Sequence, residues 1–200
     1  MKAKRKRGGQ SAVSGQPPAV EVVILAGGLS SRMGRDKARL QLGGRSLLAW
    51  VRAAARATGW PVRVIRRDLV PRSGPLGGVW TAFQRSRAER LVFLSCDMPL
   101  VTPRLMRGVG ERKASAVFTQ TTEGAGFPFA LDRACLPLVE QALAEKRRSL
   151  QSLAQRLRAQ KLKLPQRRQT ELLNLNTPED FARARAEWPR NALARSSDSE

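Results

Sequence analysis

The amino-acid sequence predicts a single α/β domain, a three-layer α/β/α sandwich built around a mostly parallel sheet. Two apolar runs, VEVVILA from Val20 and LVFLS at 91–95, are too continuous for strands with one wet face, and they indicate buried parallel strands. Amphipathic helical patterns alternate with the strand patterns along the chain. The length of 200 residues with 42% hydrophobic residues suffices for one full core but not for two large ones.

The first half of the chain predicts strand, glycine loop, helix and strand in turn. After the strand from Val20 and its loop, residues 46–57 carry apolar side chains at helical spacing, and Gly59 stands where that helix should stop. VRVI at 62–65 predicts a second strand, and 75–87 a loop that leads into a helix. LVFLS then predicts the third buried strand.

The second half continues the alternation. The predicted elements are a helix over 103–109 with Thr102 as its cap, strands SAVFT (115–119) and FPFAL (127–131), helices over 135–145 and 150–157, a short strand LLNLN (172–176), and a helix capped by Thr177 with Pro178 at its first position, running to about Trp188. Residues 1–19 have the composition of a disordered basic arm and 189–200 of a flexible tail, so we place the domain at 20–188.

Charge and composition narrow the classes of function. The chain has 37 Lys+Arg against 16 Asp+Glu, a formal net charge of +21, which favours a polyanionic partner. Aromatic residues are only 5% and tyrosine is absent, so there is no stacking platform for bases. RNA binding through the basic arm remains an alternative, and a phosphate-rich small molecule fits the same charge.

Several other classes are disfavoured. No apolar run reaches the roughly 20 residues of a membrane span, and no apolar stretch follows the basic start as in a signal peptide, so we expect a cytoplasmic protein without membrane association. Cys96 and Cys135 have neither disulfide-scaffold density nor zinc-site spacing, and the chain contains no histidine. We expect both thiols to be reduced.

The stretch LAGGLSSRMGRDK at 25–37 concentrates glycine and positive charge directly after a buried strand. Glycines let the backbone approach a ligand with its amides outward, and the loop after the first strand of an open α/β sheet is a usual phosphate cradle. The spacing is neither that of a Walker loop nor that of a dinucleotide fingerprint. A plain glycine turn with a surface ion pair is the alternative.

This stretch resembles the signature L-x-G-G-x-S-x-R-M-G-x-D-K of the molybdenum cofactor guanylyltransferase family, which is matched at Leu25, Gly27, Gly28, Ser30, Arg32, Met33, Gly34, Asp36 and Lys37. Three further segments resemble family motifs in the same order: GPLGG (74–78), SCDMP (95–99) and NLNTPED (174–180). The resemblance covers about 20–188. It implies a Rossmann-like domain of the nucleotide-diphospho-sugar transferase type.

The resemblance also implies roles for individual residues. Lys37, Arg32 and Asp97 are the expected catalytic residues, and Asp97 with Asn176 the expected ligands of Mg²⁺. The expected nucleotide-binding residues are Leu25, Ala26, Gly27, Gly28, Ser30, Arg32, Lys37, Asp68, Gly74, Pro75, Leu76, Gly77 and Asp97, with Asp68 as a base contact. Asp97 could alternatively shape a turn, the asparagines could cap a helix, and Asp36 could orient Arg32 or Lys37 or form a surface pair.

The implied activity is Mg²⁺-dependent transfer of GMP from GTP to molybdopterin, with release of pyrophosphate. The alternatives are a cytidylyltransferase for the same cofactor, a sugar-phosphate nucleotidyltransferase, and a non-catalytic nucleotide-binding protein. The chain departs from the family pattern in two places. Only residues 60–73 join the first helix to GPLGG, where family members carry an extra strand and helix, and Phe127 stands where they tend to have a histidine.

Overall fold

The computed structural model describes residues 18–27 and 40–186. Nearly all of the predicted basic arm, the predicted tail and most of the glycine loop lie outside these residues. The strands are β1 (Val20–Leu25), β2 (Gln41–Leu42), β3 (Arg45–Ser46), β4 (Val62–Ile65), β5 (Arg90–Ser95), β6 (Ala116–Thr121), β7 (Gly124–Asp132) and β8 (Gln160–Leu162). The helices are α1 (Leu47–Arg56), α2 (Gly74–Arg85), α3 (Pro103–Gly110), α4 (Leu136–Ala144) and α5 (Leu150–Arg156), with 3₁₀ turns at Arg133–Cys135 and Gln166–Leu172 and a last helical segment, α6, over 178–186.

Six strands form the middle layer in the order β4-β1-β5-β7-β6-β8. β1 pairs in parallel with β4 and β5, and β6 in parallel with β8. β7 is antiparallel to both β5 and β6, so it alone opposes the other five strands of the described sheet. The prediction of a mostly parallel sheet is confirmed, and the carboxyl ends of β4, β1 and β5 meet at one edge.

Helices cover both faces of the sheet. On one face, α1 and α3 pack on side chains such as Ile24 and Leu94. On the other, α2, α4 and α5 pack on Val23 and on a stack of Phe93, Phe129 and Phe118 with ring centroids 4.8 and 4.5 Å apart. The three-layer single-domain prediction is thereby confirmed. Within the described ranges, no helix combines the length and the apolar character needed to cross a bilayer.

Two predicted helix starts are confirmed in detail. The Ser46 hydroxyl accepts a hydrogen bond from the Ala49 N–H (3.2 Å) at the start of α1, and the Thr102 hydroxyl accepts one from the Leu105 N–H (3.2 Å) at the start of α3. Gly59, the predicted stop after α1, has φ +80°, a left-handed conformation that glycine adopts without strain. Local capping signals therefore located both helices.

The predicted strand at 172–176 is wrong. Leu172 ends a 3₁₀ turn and 173–176 have no regular structure. The Leu175 N–H donates to the Asp97 carbonyl (2.9 Å) instead of joining a ladder, and the Leu175 side chain is buried with Leu42 and Leu47 in a small cluster beside the β2–β3 hairpin. The alternating apolar pattern therefore reflects packing of an irregular segment.

The predicted loop at the start of 75–87 is also corrected. Helix α2 already begins at Gly74, so GPLGG is the first helical turn, with proline near its start, where a missing N–H costs nothing. The hairpin of β2 and β3 and the edge strand β8 were not predicted, since two- and three-residue strands leave no periodic pattern.

Candidate functional site

A cavity of about 1020 Å³ opens at the carboxyl edge of the sheet, beside the ends of β1, β4 and β5 and the first turn of α2. Its lining includes Leu25, Gly27, Asp68, Gly74, Pro75 and Ser95. In parallel α/β sheets, ligands bind outside the carboxyl ends of the strands. Five of the residues predicted to bind nucleotide therefore share one cavity.

Asp68 lies against the first turn of α2. A Cβ added at Gly77 would be 3.2 Å from Asp68 Oδ2, and one added at Gly78 would be 3.3 Å from Oδ1. The two glycines thus let the carboxylate approach the helix closely. Burial raises the pKa of Asp68, and no described residue donates a hydrogen bond to its oxygens. The carboxylate is therefore available to accept hydrogen bonds from a ligand in the cavity.

The segment that carries Asp68, residues 66–73, is anchored to α2. The Leu69 N–H donates to Thr81 Oγ1 (2.8 Å), and the Thr81 hydroxyl donates to the Gly77 carbonyl (2.7 Å). The segment ends in left-handed backbone at Arg72 (φ 58°) and Gly74 (φ 58°). These contacts hold the short connection that carries Asp68 in place against α2.

The cavity is strongly basic. Arg66, Arg67, Arg72 and Arg148 line it, and none of the four forms an ion pair with a described residue. Asp68 is the one carboxylate in the described lining. An excess of unpaired guanidinium groups over carboxylates suits a polyanionic ligand.

Asp97 lies just beyond β5, next to this cavity. The Ser95 hydroxyl, which lines the cavity, donates to Asp97 Oδ1 (2.5 Å), and Asp97 is 9% exposed. The hydrogen bond from the Leu175 N–H to the Asp97 carbonyl brings 174–176 beside this residue. The resemblance implied that Asp97 and the NLN segment act together, and the fold places them side by side.

The oxygen atoms at this point fit a hard divalent cation. The Asn174 Oδ1 atom is buried and has no hydrogen-bond partner in the described part of the chain. Mg²⁺ takes oxygen ligands and is usually bound through one or two carboxylates with waters and substrate phosphates. The described residues contain no group of three acidic, histidine or cysteine side chains, so Asp97 with asparagine oxygens is the donor set on offer.

Among the other predicted residues, Leu76 and Ala26 are not part of the lining of the cavity. Leu76 is fully buried in the core beneath α2, and Ala26 packs with the α1–α3 cluster while its N–H donates to the Ile65 carbonyl (2.8 Å). Only their backbone remains for a ligand. Thr177 Oγ1 accepts from the Asp180 N–H (3.1 Å), which confirms Thr177 as a helix cap.

Several predicted residues lie outside the described ranges: Gly28, Ser30, Arg32, Asp36 and Lys37. Their convergence with Asp97 stays a prediction. The structure adds Ser95 and Arg148, which were not among the predicted site residues, whereas Asn174 is paired with Asn176 in the sequence as a second group facing the same ligand. Arg148 lies in the α4–α5 connection, and its carbonyl oxygen is 3.3 Å from a Cβ added at Gly74. A contact between segments so far apart in sequence leaves no local sequence signal.

A second cavity, of about 970 Å³, lies along α1 and α3 and reaches Leu162 and Arg168. It is lined by Trp50, Ala54, Thr102, Arg104 and neighbouring residues, and by none of the predicted site residues. The cavity at the sheet edge is therefore the candidate site.

Comparisons with known proteins identify the family of the chain. Residues 22–162 match the family model described as the MobA-like NTP transferase domain. The chain is 32% identical over 186 residues to a molybdenum cofactor guanylyltransferase of Xanthomonas euvesicatoria pv. vesicatoria, covering 84% of this chain and 95% of that one. It is also 32% identical to the one of Pseudomonas entomophila, over 81% and 96% of the two chains.

Solved structures share the fold. Molybdopterin-guanine dinucleotide biosynthesis protein A from Archaeoglobus fulgidus superposes with a TM-score of 0.69 at 20% identity, over 85% of this chain and 99% of that one. The 2-C-methyl-D-erythritol 4-phosphate cytidylyltransferase from Thermus thermophilus gives 0.62 at 18%, over 83% and 97%. A Mycobacterium tuberculosis protein solved with manganese gives 0.55 at 18%, over 82% and 97%.

Proposed function

The chain belongs to the MobA-like NTP transferase family, and from that premise we propose that it transfers GMP from GTP to the terminal phosphate of a molybdopterin-type acceptor. Its curated relatives are named as guanylyltransferases, which makes it a nucleotidyltransferase by family. The proposed reaction requires Mg²⁺ and releases pyrophosphate. An oxygen of the acceptor phosphate attacks the α-phosphorus of GTP, and the bond from that phosphorus to the β-phosphate oxygen breaks.

One observation carries this proposal. Gly27, two residues beyond the end of β1, the Asp68 carboxylate, and Ser95 with its bond to Asp97 all meet at one basic cavity. A nucleotide needs these three kinds of group: a close backbone approach for phosphates, a polar group for the base, and a carboxylate near the phosphates.

Asp68 supports guanine as the base. The edge of guanine presents two adjacent donors, N1–H and the 2-amino group, which a carboxylate can accept with its two oxygens. Adenine and cytosine present one donor beside an acceptor on the same edge, so the acceptor would face a carboxylate oxygen. Because no described residue donates to Asp68, its oxygens are free for this pairing within the described site.

The arginines of the cavity support the phosphate chemistry. Transfer between two anions depends mainly on positioning and charge neutralisation. Arg66, Arg67, Arg72 and Arg148 supply positive charge at the cavity, and the predicted Arg32 and Lys37 would add theirs from the glycine loop. Lys37 would then lie near the α-phosphate, where negative charge develops.

Asp97, Asn174 and Asn176 are the residues that would hold Mg²⁺. When bound there, the ion would neutralise phosphate oxygens and orient the triphosphate. Ser95 would orient the Asp97 carboxylate through its hydrogen bond. A relative of similar fold was solved with manganese, which is consistent with a divalent cation in this fold.

The test is turnover by the full chain with each of the four nucleoside triphosphates, Mg²⁺ and molybdopterin, measured as pyrophosphate release. We expect product with GTP, and losses of about 10³-fold or more in kcat for Asp97→Ala and Lys37→Ala with an unchanged circular-dichroism spectrum. Product with CTP alone would instead identify a cytidylyltransferase. Nucleotide binding without pyrophosphate from any triphosphate would refute the enzyme proposal.

A further inference from the structure

A buried carboxylate outside the cavity organises the segment that carries the two asparagines. Glu171, in the 3₁₀ turn before that segment, is 8% exposed. Its Oε2 accepts from the Thr102 hydroxyl (2.5 Å) and from Arg168 Nη2 (3.0 Å), and its Oε1 accepts from Arg168 Nε. The resemblance that implied the other site residues assigned no role to Glu171.

The network links two distant parts of the chain. Thr102 is the N-cap of α3 and lies 69 residues before Glu171. Its hydroxyl accepts a hydrogen bond from the Leu105 N–H and donates one to the Glu171 carboxylate. Helix α3 follows the turn that contains Asp97. Glu171 therefore fixes the end of the 3₁₀ turn relative to the start of α3, which is the next helix after Asp97 and begins six residues after it.

The segment from Glu171 to Thr177 is held at three points. Glu171 anchors its start, and the bond from the Leu175 N–H to the Asp97 carbonyl (2.9 Å) anchors its middle. At its end, Asp180 Oδ2 accepts from the N–H groups of Asn176 and Thr177, both at 2.9 Å. Residues 173–176 need such anchors because they have no regular structure of their own, and Asn174, whose buried Oδ1 has no hydrogen-bond partner among the described residues, lies between the first two anchors in sequence.

We propose that Glu171 is a positioning residue for the divalent-cation site, acting through residues 172–175 to hold the asparagine oxygens beside Asp97. This inference rests on the proposed function in that it takes Asp97 and the asparagines as the cation ligands. Groups that orient metal ligands typically change metal affinity by about 10–100-fold when they are removed.

The charge of Glu171 is essential to this role. The variant Glu171→Gln keeps the shape of the side chain but leaves the Arg168 guanidinium without its carboxylate in a mostly buried setting. The neutral amide has one acceptor oxygen and one NH₂ donor, so it cannot accept from Arg168 at both positions as the carboxylate does, and it does not carry the negative charge. The 3₁₀ turn would shift away from Thr102, and the segment that follows would lose its first anchor.

The experiment is a Mn²⁺ titration of the full chain followed by electron paramagnetic resonance, in the presence of a saturating non-hydrolysable GTP analogue. For Glu171→Gln we expect the Kd for Mn²⁺ to rise about 10–100-fold, with metal-free binding of the analogue unchanged and turnover restored by high Mg²⁺. A merely structural role would change the melting temperature and leave the Mn²⁺ affinity as it is.

Glu145→Gln is the matched control. Glu145 accepts from both Arg156 Nη1 and Nη2 (3.1 Å to the second), so the substitution removes a similar arginine pair from an exposed place on the surface. Its Mn²⁺ affinity should equal that of the wild type. If Glu171→Gln does not fold, Glu171→Asp is measured in its place: it keeps the charge but is one methylene shorter, so it should lose the hydrogen bond from the Thr102 hydroxyl and also raise the Kd for Mn²⁺.

Wild-type Mn²⁺ affinity in the folded Glu171 variant would overturn the proposal, as would the absence of Mn²⁺ binding by the wild-type complex. The proposed function fails separately, if the wild type releases no pyrophosphate with any triphosphate. A wild type that turns over and a Glu171→Gln variant with unchanged Mn²⁺ affinity would refute the positioning role alone.

Discussion

Asp68, the proposed base contact, is the residue at which the packing of the fold bears on the proposed recognition of GTP. Burial against the first turn of α2 raises its pKa from the ordinary value of 3.8. Because the folded state holds the proton more tightly than the unfolded state, this carboxyl favours folding at pH values below its ordinary pKa, and that contribution is lost as the pH rises through the raised pKa. The ionised Asp68 carboxylate therefore lowers the stability of the folded state near neutral pH.

The corresponding prediction concerns GTP binding at acid pH. Since only the ionised carboxylate accepts from both N1–H and the 2-amino group, the KM for GTP should rise as the pH falls through the raised pKa of Asp68. Asp68→Asn should weaken the binding of GTP by about 1–3 kcal/mol and remove that pH dependence. It should also reduce the preference for GTP over ITP, which lacks the 2-amino group. Steady-state KM values across the acid range measure all three effects.

Glu111→Gln is the control for this prediction. Glu111 is exposed and lines the other cavity, so its variant should keep the wild-type pH profile. An Asp68→Asn enzyme with unchanged discrimination between GTP and ITP would show that Asp68 does not contact the base.

At the scale of elements, short sequence patterns predicted several helices and strands correctly. A conformation that depends on contacts between distant residues was not predicted. β1, α1 and α3 lie where predicted because β-branched runs, Ser46 and Thr102 act on their immediate neighbours. The pattern LLNLN predicted a strand, but backbone pairing with Asp97 and burial in a separate cluster decide that conformation, and both depend on residues far away in sequence.

The candidate site divides in the same way. The sequence could place Gly27 and Asp97 at one edge of the sheet, because both follow the ends of neighbouring parallel strands. The anchoring of Glu171 by Thr102 could not, since no motif joins residues 69 positions apart. The unpartnered oxygen of Asn174 likewise becomes visible only once the packing around it is known.

Close packing between α2 and the 66–73 segment gives a prediction at this scale. A Cβ added at Gly77 would lie 2.8 Å from the Val70 carbonyl oxygen, a backbone atom that can move only with its segment. Gly77→Ala should therefore displace Asp68, destabilise the fold by about 1–3 kcal/mol and raise the KM for GTP. Thermal unfolding and steady-state kinetics measure the two effects.

Gly108→Ala is the matched control for that variant. Gly108 is also in a helix, α3, but a Cβ there would meet only Leu162 Cδ2 at 3.7 Å, an ordinary contact. Since alanine is the better helix former, this variant should be neutral or more stable by up to about 1 kcal/mol, with an unchanged KM. Equal effects of the two substitutions would contradict the role assigned to the close contact.

At the scale of the whole molecule, two separate groups of basic residues contribute to the net charge of +21. One part is the four arginines at the cavity, which form no ion pair with the described residues and would attract a triphosphate and a phosphorylated acceptor. The other is the basic run Lys2–Arg7, which lies in sequence before the domain and outside its family match at 22–162. We assign the first part to the proposed catalysis, and the second would serve any binding of nucleic acid.

Removal of the terminal segments should separate GTP turnover from RNA binding. A chain of residues 18–188 keeps both large core clusters and the small cluster that contains Leu175 and Ala184, so it should fold and retain kcat and the KM for GTP within about twofold. Its affinity for RNA should fall below that of the full chain, and the full chain's RNA affinity should drop steeply with salt. Turnover and RNA binding measured over a salt series check both expectations. If the shortened chain is folded but loses turnover, the arm or tail contributes to the active site, and the assignment of catalysis to the domain alone is wrong.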